Sequence, residues 1–139
     1  MQKITPHLWF DREAREATEF YVTLFPNSKV TNVTTLHDTP SGDCDIVSFQ
    51  LSGQKFMAMS AGPLFKFTPA VSFMVACETR EEIDMLWEKL SPGGIALMPI
   101  DQYPFSERFG WIQDKYGLSW QLILTKPEGE ERPKIVPTF

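Results

Sequence analysis

The sequence has few of the side chains that build metal clusters, disulfide frameworks or nucleic-acid interfaces. Its 139 residues include two cysteines and two histidines, and 13 Lys and Arg stand against 18 Asp and Glu, for a formal net charge of −5. Cys44 and Cys77 form neither a metal-type pair nor a disulfide framework. The acidic balance argues against a nucleic-acid or anionic-membrane partner, because both bind clustered Lys and Arg.

Long apolar runs are absent as well. No run approaches the roughly 20 residues of a membrane-spanning helix, and residues 1–6 contain no apolar signal-peptide segment. A reducing cytoplasm is therefore the expected compartment. Aromatic residues, by contrast, are abundant: 11 Phe and 4 Trp predict a second aromatic lining, such as a pocket or a dimer face, beyond the core.

The first half of the chain shows the pattern of one helix among four strands. Ala17, Phe20, Tyr21 and Leu24 recur at helical spacing, whereas alternation and Val/Thr-rich runs mark the strands. The predicted elements are a strand over 2–10, a helix capped by Asp11 that ends near Phe25, a strand over 29–37, a loop over 38–43, and hairpin strands over 44–51 and 54–60.

The second half repeats this order. Thr79 and Glu82 form a capping box, and Ile83, Leu86 and Leu90 follow at helical spacing. The predicted elements are a strand over 70–77, the capped helix, a short strand over 95–100, an aromatic and charged loop over 101–107, and strands over 109–114 and 118–125.

The two halves align at nearly constant offsets. Ala17 corresponds to Ile83, 66 residues later, Gly53 to Gly117, 64 later, and Thr5-Pro6 to Thr68-Pro69, 63 later. The repeating unit is βαβββ. The chain is therefore predicted to be one α+β domain over 1–125, built from units at about 1–61 and 68–125, with a tail over 126–139 that lies on the surface or on a partner subunit.

In each unit the helix should cover one face of the sheet and leave the other uncovered. Two units are expected to curve into an open, barrel-like mixed sheet with the helices outside and a cleft inside. The residues expected to face the helices are Leu8, Phe10, Phe56, Ala58, Val71, Phe73, Val75, Trp120 and Leu122. The residues expected to face the cleft are His7, Trp9, Ser48, Gln50, Met57, Met59, Ser72, Met74, Gln121 and Ile123.

The paired units carry a family resemblance that runs from about residue 4 to residue 124. Its motifs are residues 4–10 (ITPHLWF), Ala17 with Phe20-Tyr21, residues 25–28 (FPNS), Gly62-Pro63, residues 65–67 (FKF), residues 72–75 (SFMV), Gly110-Trp111 and residues 114–121 (DKYGLSWQ). The chain thereby resembles the PhnB-like branch of the vicinal oxygen chelate superfamily, which includes glyoxalases, extradiol dioxygenases and bleomycin and fosfomycin resistance proteins. Members of this branch are often labelled demethylubiquinone methyltransferases, but this chain has no glycine-rich loop after a strand.

The superfamily resemblance implies a divalent-metal position at the first and last strands of the two units. The repeat carries this position onto His7, Met57, Ala70 and Gln121. Only His7 is a good ligand, with Gln121 as a weak second candidate, so we predict no complete metal site and no cofactor, with a divalent ion left open. The resemblance also implies a homodimer.

The candidate ligand-binding residues are His7, Trp9, Met57, Met59, Ser72, Gln121, Trp111 and Arg108. His7 would serve as a hydrogen-bond partner or base, the indoles would stack on a planar ligand, and the methionines would form a pliable wall. Arg108, in the loop with Tyr103, Phe105 and Glu107, would anchor an anion or help to cover the cleft. Each also has a simpler interpretation as a packing residue, a buried amide or a solvated connector.

Three functions fit these residues. The chain is expected to bind a small organic molecule without a metal, as bleomycin resistance proteins do. Alternatively, it is a divalent-metal-dependent lyase, isomerase or dioxygenase, in which case added metal should stabilise it through His7. Finally, it is a structural module whose inner face is filled by its own side chains.

Overall fold

Each half of the chain packs one helix against one face of a mixed sheet, which confirms the predicted fold class. The computed structural model describes residues 4–39, 42–62, 67, 71–104, 106–125 and 134–138. The chain divides into two units, residues 1–66 and 67–139. Within the described ranges, neither helix has the length and apolar character that crossing a membrane would require.

The first unit contains four strands in the spatial order β1-β4-β3-β2. Its elements are β1 (His7–Phe10), α1 (Ala14–Tyr21), β2 (Lys29–Thr39), β3 (Gly42–Leu51) and β4 (Gln54–Ser60). The outer strand β1 pairs with β4 in parallel, and the other neighbours pair antiparallel. Because β1 comes first and β4 last in the unit, this parallel contact joins its two ends.

Helix α1 covers one face of this sheet. Leu8 and Phe10 of β1 and Phe56 and Ala58 of β4 are at most 4% exposed, as the alternation predicted. Ala17 of α1 is fully buried as well. Small side chains on the helix let its backbone approach the aromatic residues of the sheet closely.

The start of α1 differs from the sequence prediction. Asp11 is not the N-cap; Glu13 occupies that position, and its side chain makes no capping hydrogen bond. Instead Ser60, at the end of β4, accepts a hydrogen bond from the backbone N–H of Ala14 at 3.0 Å through its Oγ. A hydroxyl 46 residues away thus satisfies one of the helix's otherwise unpaired N–H groups.

The second unit contains five strands in the spatial order β6-β7-β8-β5-β9. Its elements are β5 (Ser72–Cys77), α2 (Arg80–Leu90), β6 (Ile95–Tyr103), β7 (Ser106–Gln113), β8 (Ser119–Leu124) and β9 (Ile135–Thr138). Again the first strand of the repeat, β5, pairs in parallel with the last, β8. The predicted N-cap is confirmed, because Thr79 accepts from the N–H of Glu82 at 3.1 Å. The Glu82 carboxylate accepts from the N–H of Glu78, one residue before the cap, at 2.9 Å.

Strand β9 was not predicted, because the region from residue 126 onward was expected to be a surface or dimer-contacting tail. Ile135–Thr138 instead pairs antiparallel with the outer edge of β5, and Ile135 is buried. Lys134, just before this strand, donates to the second oxygen of Glu82 at 2.6 Å. The residue that completes the cap of α2 therefore also ties the C-terminal strand to that helix.

The β7–β8 hairpin is organised around a buried carboxylate. Asp114, 4% exposed, accepts from the backbone N–H groups of Tyr116 and Leu118 through Oδ1, and from the indole N–H of Trp120 through Oδ2 at 2.9 Å. These bonds compensate for the burial of the charge. They also fix the tight turn that contains Gly117, whose φ of +92° favours glycine.

Three further predictions were wrong in detail. The expected loop over 38–43 is largely taken up by β2 and β3, and the expected lid loop over 101–107 lies mostly in β6 and β7. Cross-strand pairing extends both hairpins into polar sequence, where propensity is weak. Val71 does not face the helices but is 42% exposed, because it precedes β5. Phe105, also assigned to that loop, lies outside the described residues.

We expect Ser60→Ala to lower the free energy of unfolding by about 1 to 2 kcal/mol, because it leaves the buried N–H of Ala14 without its partner. Denaturant unfolding measures the change. The matched control is Ser48→Ala, on the half-buried opposite face of the same sheet, which should cost less than about 0.5 kcal/mol. Equal effects of the two substitutions would contradict the capping role.

Candidate functional site

The helix-free face of the first sheet carries His7 and Trp9 beside Met57 and Met59. Parallel pairing places His7 opposite Met57 and Trp9 opposite Met59. His7 is exposed and the other three are half-buried, whereas the intervening Leu8 is buried under the helix. Four predicted ligand-binding residues therefore form one contiguous patch of an imidazole, an indole and two thioethers.

Trp9 is held in place within this patch. Its Nε1 donates to the carbonyl of Gly62 at 2.8 Å, and the φ of Gly62 is +93° directly after β4. The indole N–H is thus used internally, and this hydrogen bond fixes the orientation of the ring on the helix-free face. The imidazole of His7 makes no hydrogen bond or ion pair with any other residue in the described part of the chain.

The helix-free face of the second sheet carries a row of side chains across three strands. Gln121 of β8 lies opposite Met74 of β5 on one side and opposite Trp111 of β7 on the other. The Nε2 of Gln121 donates to the Oγ of Ser72 at 2.7 Å. The structure thus brings the predicted residues Ser72, Gln121 and Trp111 together on one face.

A further polar residue, Ser119, belongs to this face and was not among the predicted site residues. It pairs with Ser72 in β5 and with Gln113 in β7, and it is fully buried. Its place two residues before Gln121 in the same strand was the sequence signal that would have predicted it. The Ser119 Oγ and the Trp111 Nε1 are both buried without a hydrogen-bond partner among the described residues.

Arg108 is not a ligand-facing residue, contrary to the sequence prediction. Alternation along β7 puts it on the helix side with Gly110, and its Nε donates to Asp84 of α2 at 2.9 Å. The guanidinium therefore holds the helix to the sheet and is not available to anchor an anion on the helix-free face. Tyr103 is also engaged, through its hydroxyl to the carbonyl of Pro99 at 2.8 Å and its ring against Phe109.

Comparison with known proteins decides the family. A family model described as 3-demethylubiquinone-9 3-methyltransferase matches residues 2–123. The chain belongs to this family. The PhnB protein from Bacillus cereus shares 43% identity with the chain and superimposes with a TM-score of 0.82, over 89% of this chain and 100% of that one. The predicted PhnB-like resemblance is confirmed, and no curated protein matches the chain.

More distant structures show the fold that this PhnB-like family shares. A glyoxylase/bleomycin resistance protein/dioxygenase domain from Frankia is 14% identical with a TM-score of 0.64, over 93% of this chain and 96% of that one. The fosfomycin resistance protein FosX from Listeria monocytogenes is 15% identical with a TM-score of 0.66, over 91% and 97%. The PhnB-like chain therefore has the fold of the vicinal oxygen chelate superfamily.

Strand register corrects one metal position carried over to this PhnB-like chain. The equivalent first strands of the two units, β1 and β5, end at Phe10 and Cys77, which lie 67 positions apart. The offset is 63 at Thr5 and Thr68, and it grows by four because Cys77 follows Thr68 by nine positions whereas Phe10 follows Thr5 by five. The counterpart of His7 is therefore Met74, whereas Ala70 lies outside the described residues.

The corrected donor set is His7, Met57, Met74 and Gln121, which contains one good ligand. Zinc and similar ions in catalytic sites generally have about three His, Cys or carboxylate ligands, so these side chains do not fit a divalent metal. Across the described ranges, no group of three or more His, Cys, Asp and Glu residues is placed to hold one.

The cysteines of this PhnB-like chain are buried in the strands. Burial, as the largest cause, and the nearby carboxylate of Glu82 raise the pKa of the Cys77 thiol from 9.0 to about 12, against the smaller lowering effect of Lys134. A thiol that keeps its proton is a poor nucleophile and a poor metal ligand. Cys77 therefore contributes packing under the end of β5.

The raised pKa of Cys77 predicts a loss of stability in alkali. Below about pH 9 the thiol is protonated in both states, but between about pH 9 and pH 12 only the unfolded chain releases the proton, so unfolding becomes easier. We expect the denaturant midpoint to fall more steeply over this range in the wild type than in Cys77→Val. Parallel curves for the two proteins would contradict the assignment.

Proposed function

We propose that this chain is a small-molecule-binding protein whose organic ligand lies against the helix-free face of a sheet, without a complete metal site. The proposal rests on the contrast between the two faces of single strands. In β4, Phe56 and Ala58 are at most 2% exposed on the helix side, whereas Met57 and Met59 on the other side are only half-buried. The helix-free side is therefore left for another occupant.

The chemistry of these faces suits an organic ligand. Thioethers adapt to irregular apolar shapes, indoles stack on planar groups, and a few polar atoms orient the bound molecule. The first sheet offers the His7 imidazole for such orientation, and the second offers the amide of Gln121. This mixture of apolar lining and sparse polar groups is typical of small-molecule sites.

Methyl transfer, which the family description names, is not part of the proposed function. A dinucleotide-type fold would place a glycine-rich turn between a strand and a helix of a parallel sheet. Here β1 leads into α1 through residues 11–13 (DRE), and β5 leads into α2 through Glu78 and Thr79. Within the described residues, each sheet has only one parallel strand pair.

A homodimer and a cytoplasmic location, both expected from the sequence and the resemblance, remain predictions. The acidic net charge of −5 continues to argue against nucleic acid and anionic membranes as partners.

Native mass spectrometry of the purified chain tests the proposal. We expect an added organic mass that is lost on denaturation, and we expect Met57→Lys or Met74→Lys to abolish it by placing a charge on a helix-free face. The matched control is Met85→Lys, the same change on an exposed position of α2, which should retain the ligand. Absence of added mass from the wild type would support the filled structural module instead. Retention of the mass in Met57→Lys and Met74→Lys would show that the ligand binds away from the helix-free faces.

A thermal-shift series tests the metal-dependent alternative. We expect Mn²⁺, Zn²⁺, Ni²⁺ and Fe²⁺ at millimolar concentration to raise the Tm by less than about 2 °C, because a site with one good ligand binds weakly. A larger rise that disappears in His7→Ala would overturn the metal-free proposal. A rise that persists in His7→Ala would place metal binding elsewhere on the chain.

A further inference from the structure

Unpaired polar atoms cluster on the helix-free face of the second sheet. In the described part of the chain, three buried side-chain atoms lack a hydrogen-bond partner: Ser52 Oγ, Trp111 Nε1 and Ser119 Oγ. Two of the three lie on this one face. Because a buried polar atom without a partner is costly, native proteins usually satisfy it with an ordered water or another bound molecule.

The positions of these atoms place them around one spot. Trp111 lies directly opposite Gln121, and Ser119 lies two residues before Gln121 in the same strand. Ser119 is also opposite Ser72, which accepts the hydrogen bond of Gln121. The unpaired indole N–H and the unpaired hydroxyl therefore flank the Gln121–Ser72 pair on adjacent rows of the sheet.

In two other tryptophans, the indole N–H donates to an acceptor within the chain. Trp9 donates to the carbonyl of Gly62 at 2.8 Å, and Trp120 donates to the carboxylate of Asp114 at 2.9 Å. Trp111 has no such acceptor, although its nitrogen is buried in the same way. An indole N–H can only donate, so the missing partner must be an acceptor atom.

The surroundings limit the charge of that acceptor. In the middle of this face, the alternating residues from Ser72 to Ala76, Phe109 to Gln113 and Ser119 to Ile123 are uncharged. At its border, Glu107 of β7 and Asp101, opposite Phe109, are exposed and acidic. Burying a carboxylate there would lack a compensating cation, because Arg108 is paired with Asp84 on the helix side. A neutral carbonyl oxygen is the acceptor that fits.

We propose that this face binds a neutral, planar organic carbonyl compound, whose oxygen accepts the hydrogen bond of Trp111 Nε1 and whose flat apolar body lies against Met74. The Ser119 hydroxyl provides a second polar contact beside it. This inference rests on the proposed function and names the class of its ligand. Because the Trp111 nitrogen is enclosed while its ring is half-buried, the carbonyl oxygen inserts beside the ring edge and the apolar body stays against Met74.

Proton–nitrogen NMR of the four indole N–H groups tests this, with each resonance assigned by a Trp→Phe variant. The probes are acetophenone, a neutral aromatic ketone, and α-methylstyrene, which has nearly the same shape but a CH₂ group in place of the oxygen. Acetophenone should shift the Trp111 resonance downfield and α-methylstyrene should not. Trp111→Phe should weaken acetophenone binding about fivefold and α-methylstyrene binding by less than about twofold.

The control variant is Trp87→Phe, in α2, which should leave the affinity for both probes unchanged. Equal affinities for the two probes, or equal losses in Trp111→Phe, would overturn the carbonyl assignment while leaving ligand binding itself intact. Tighter binding of benzoate than of acetophenone would overturn the neutrality of the site.

If neither probe perturbs this face the inference fails, and the mass measurement then decides the proposed function separately. If Trp111→Phe folds poorly, the Trp111 resonance is assigned by elimination from the other three Trp→Phe variants, and the wild-type shifts still test the proposal.

Discussion

The parallel contact between the first and last strands of each unit is the interaction on which the rest of the structure depends. It sets His7 beside Met57 and Ser72 beside Ser119, although each pair is separated by nearly fifty residues of sequence. Parallel strands need a long connection between them, and the helix with its hairpin provides it. Because side chains alternate along a strand, this single register also decides which residues the helix covers and which it leaves uncovered.

The covered and uncovered faces have different physical requirements. On the covered side, Ser60 accepts a hydrogen bond from α1 and Asp114 accepts hydrogen bonds from its hairpin, so polar groups that packing would otherwise leave unpaired are satisfied. On the uncovered side of the second sheet, Trp111 and Ser119 retain unpaired atoms. This contrast between the two faces is the observation on which the proposed ligand site rests.

Much of this architecture was predictable from the sequence, because it depends on periodicity and local capping. The repeat identified both helices, and Thr79 with Glu82 marked the start of α2. Predictions failed where distant contacts override local signals: Ser60 replaced Asp11 as the cap of α1, and Arg108 turned toward α2 although it was placed in a loop. In the candidate site, alternation showed which residues of a strand share a face. It did not show that His7 corresponds to Met74, which follows only from the observed strand ends.

Strand β9 affects the order in which the strands of the second sheet can pair during synthesis. One edge of β5 remains unpaired until residues 135–138 are synthesised, 58 positions after Cys77. At ribosomal rates of about 5 to 20 residues per second, that edge is open for roughly 3 to 12 s. The four strands of the first sheet, by contrast, are all synthesised by Ser60. The nascent chain therefore passes through a period in which one half can complete its hydrogen bonding and the other presents an open β-edge to chaperones.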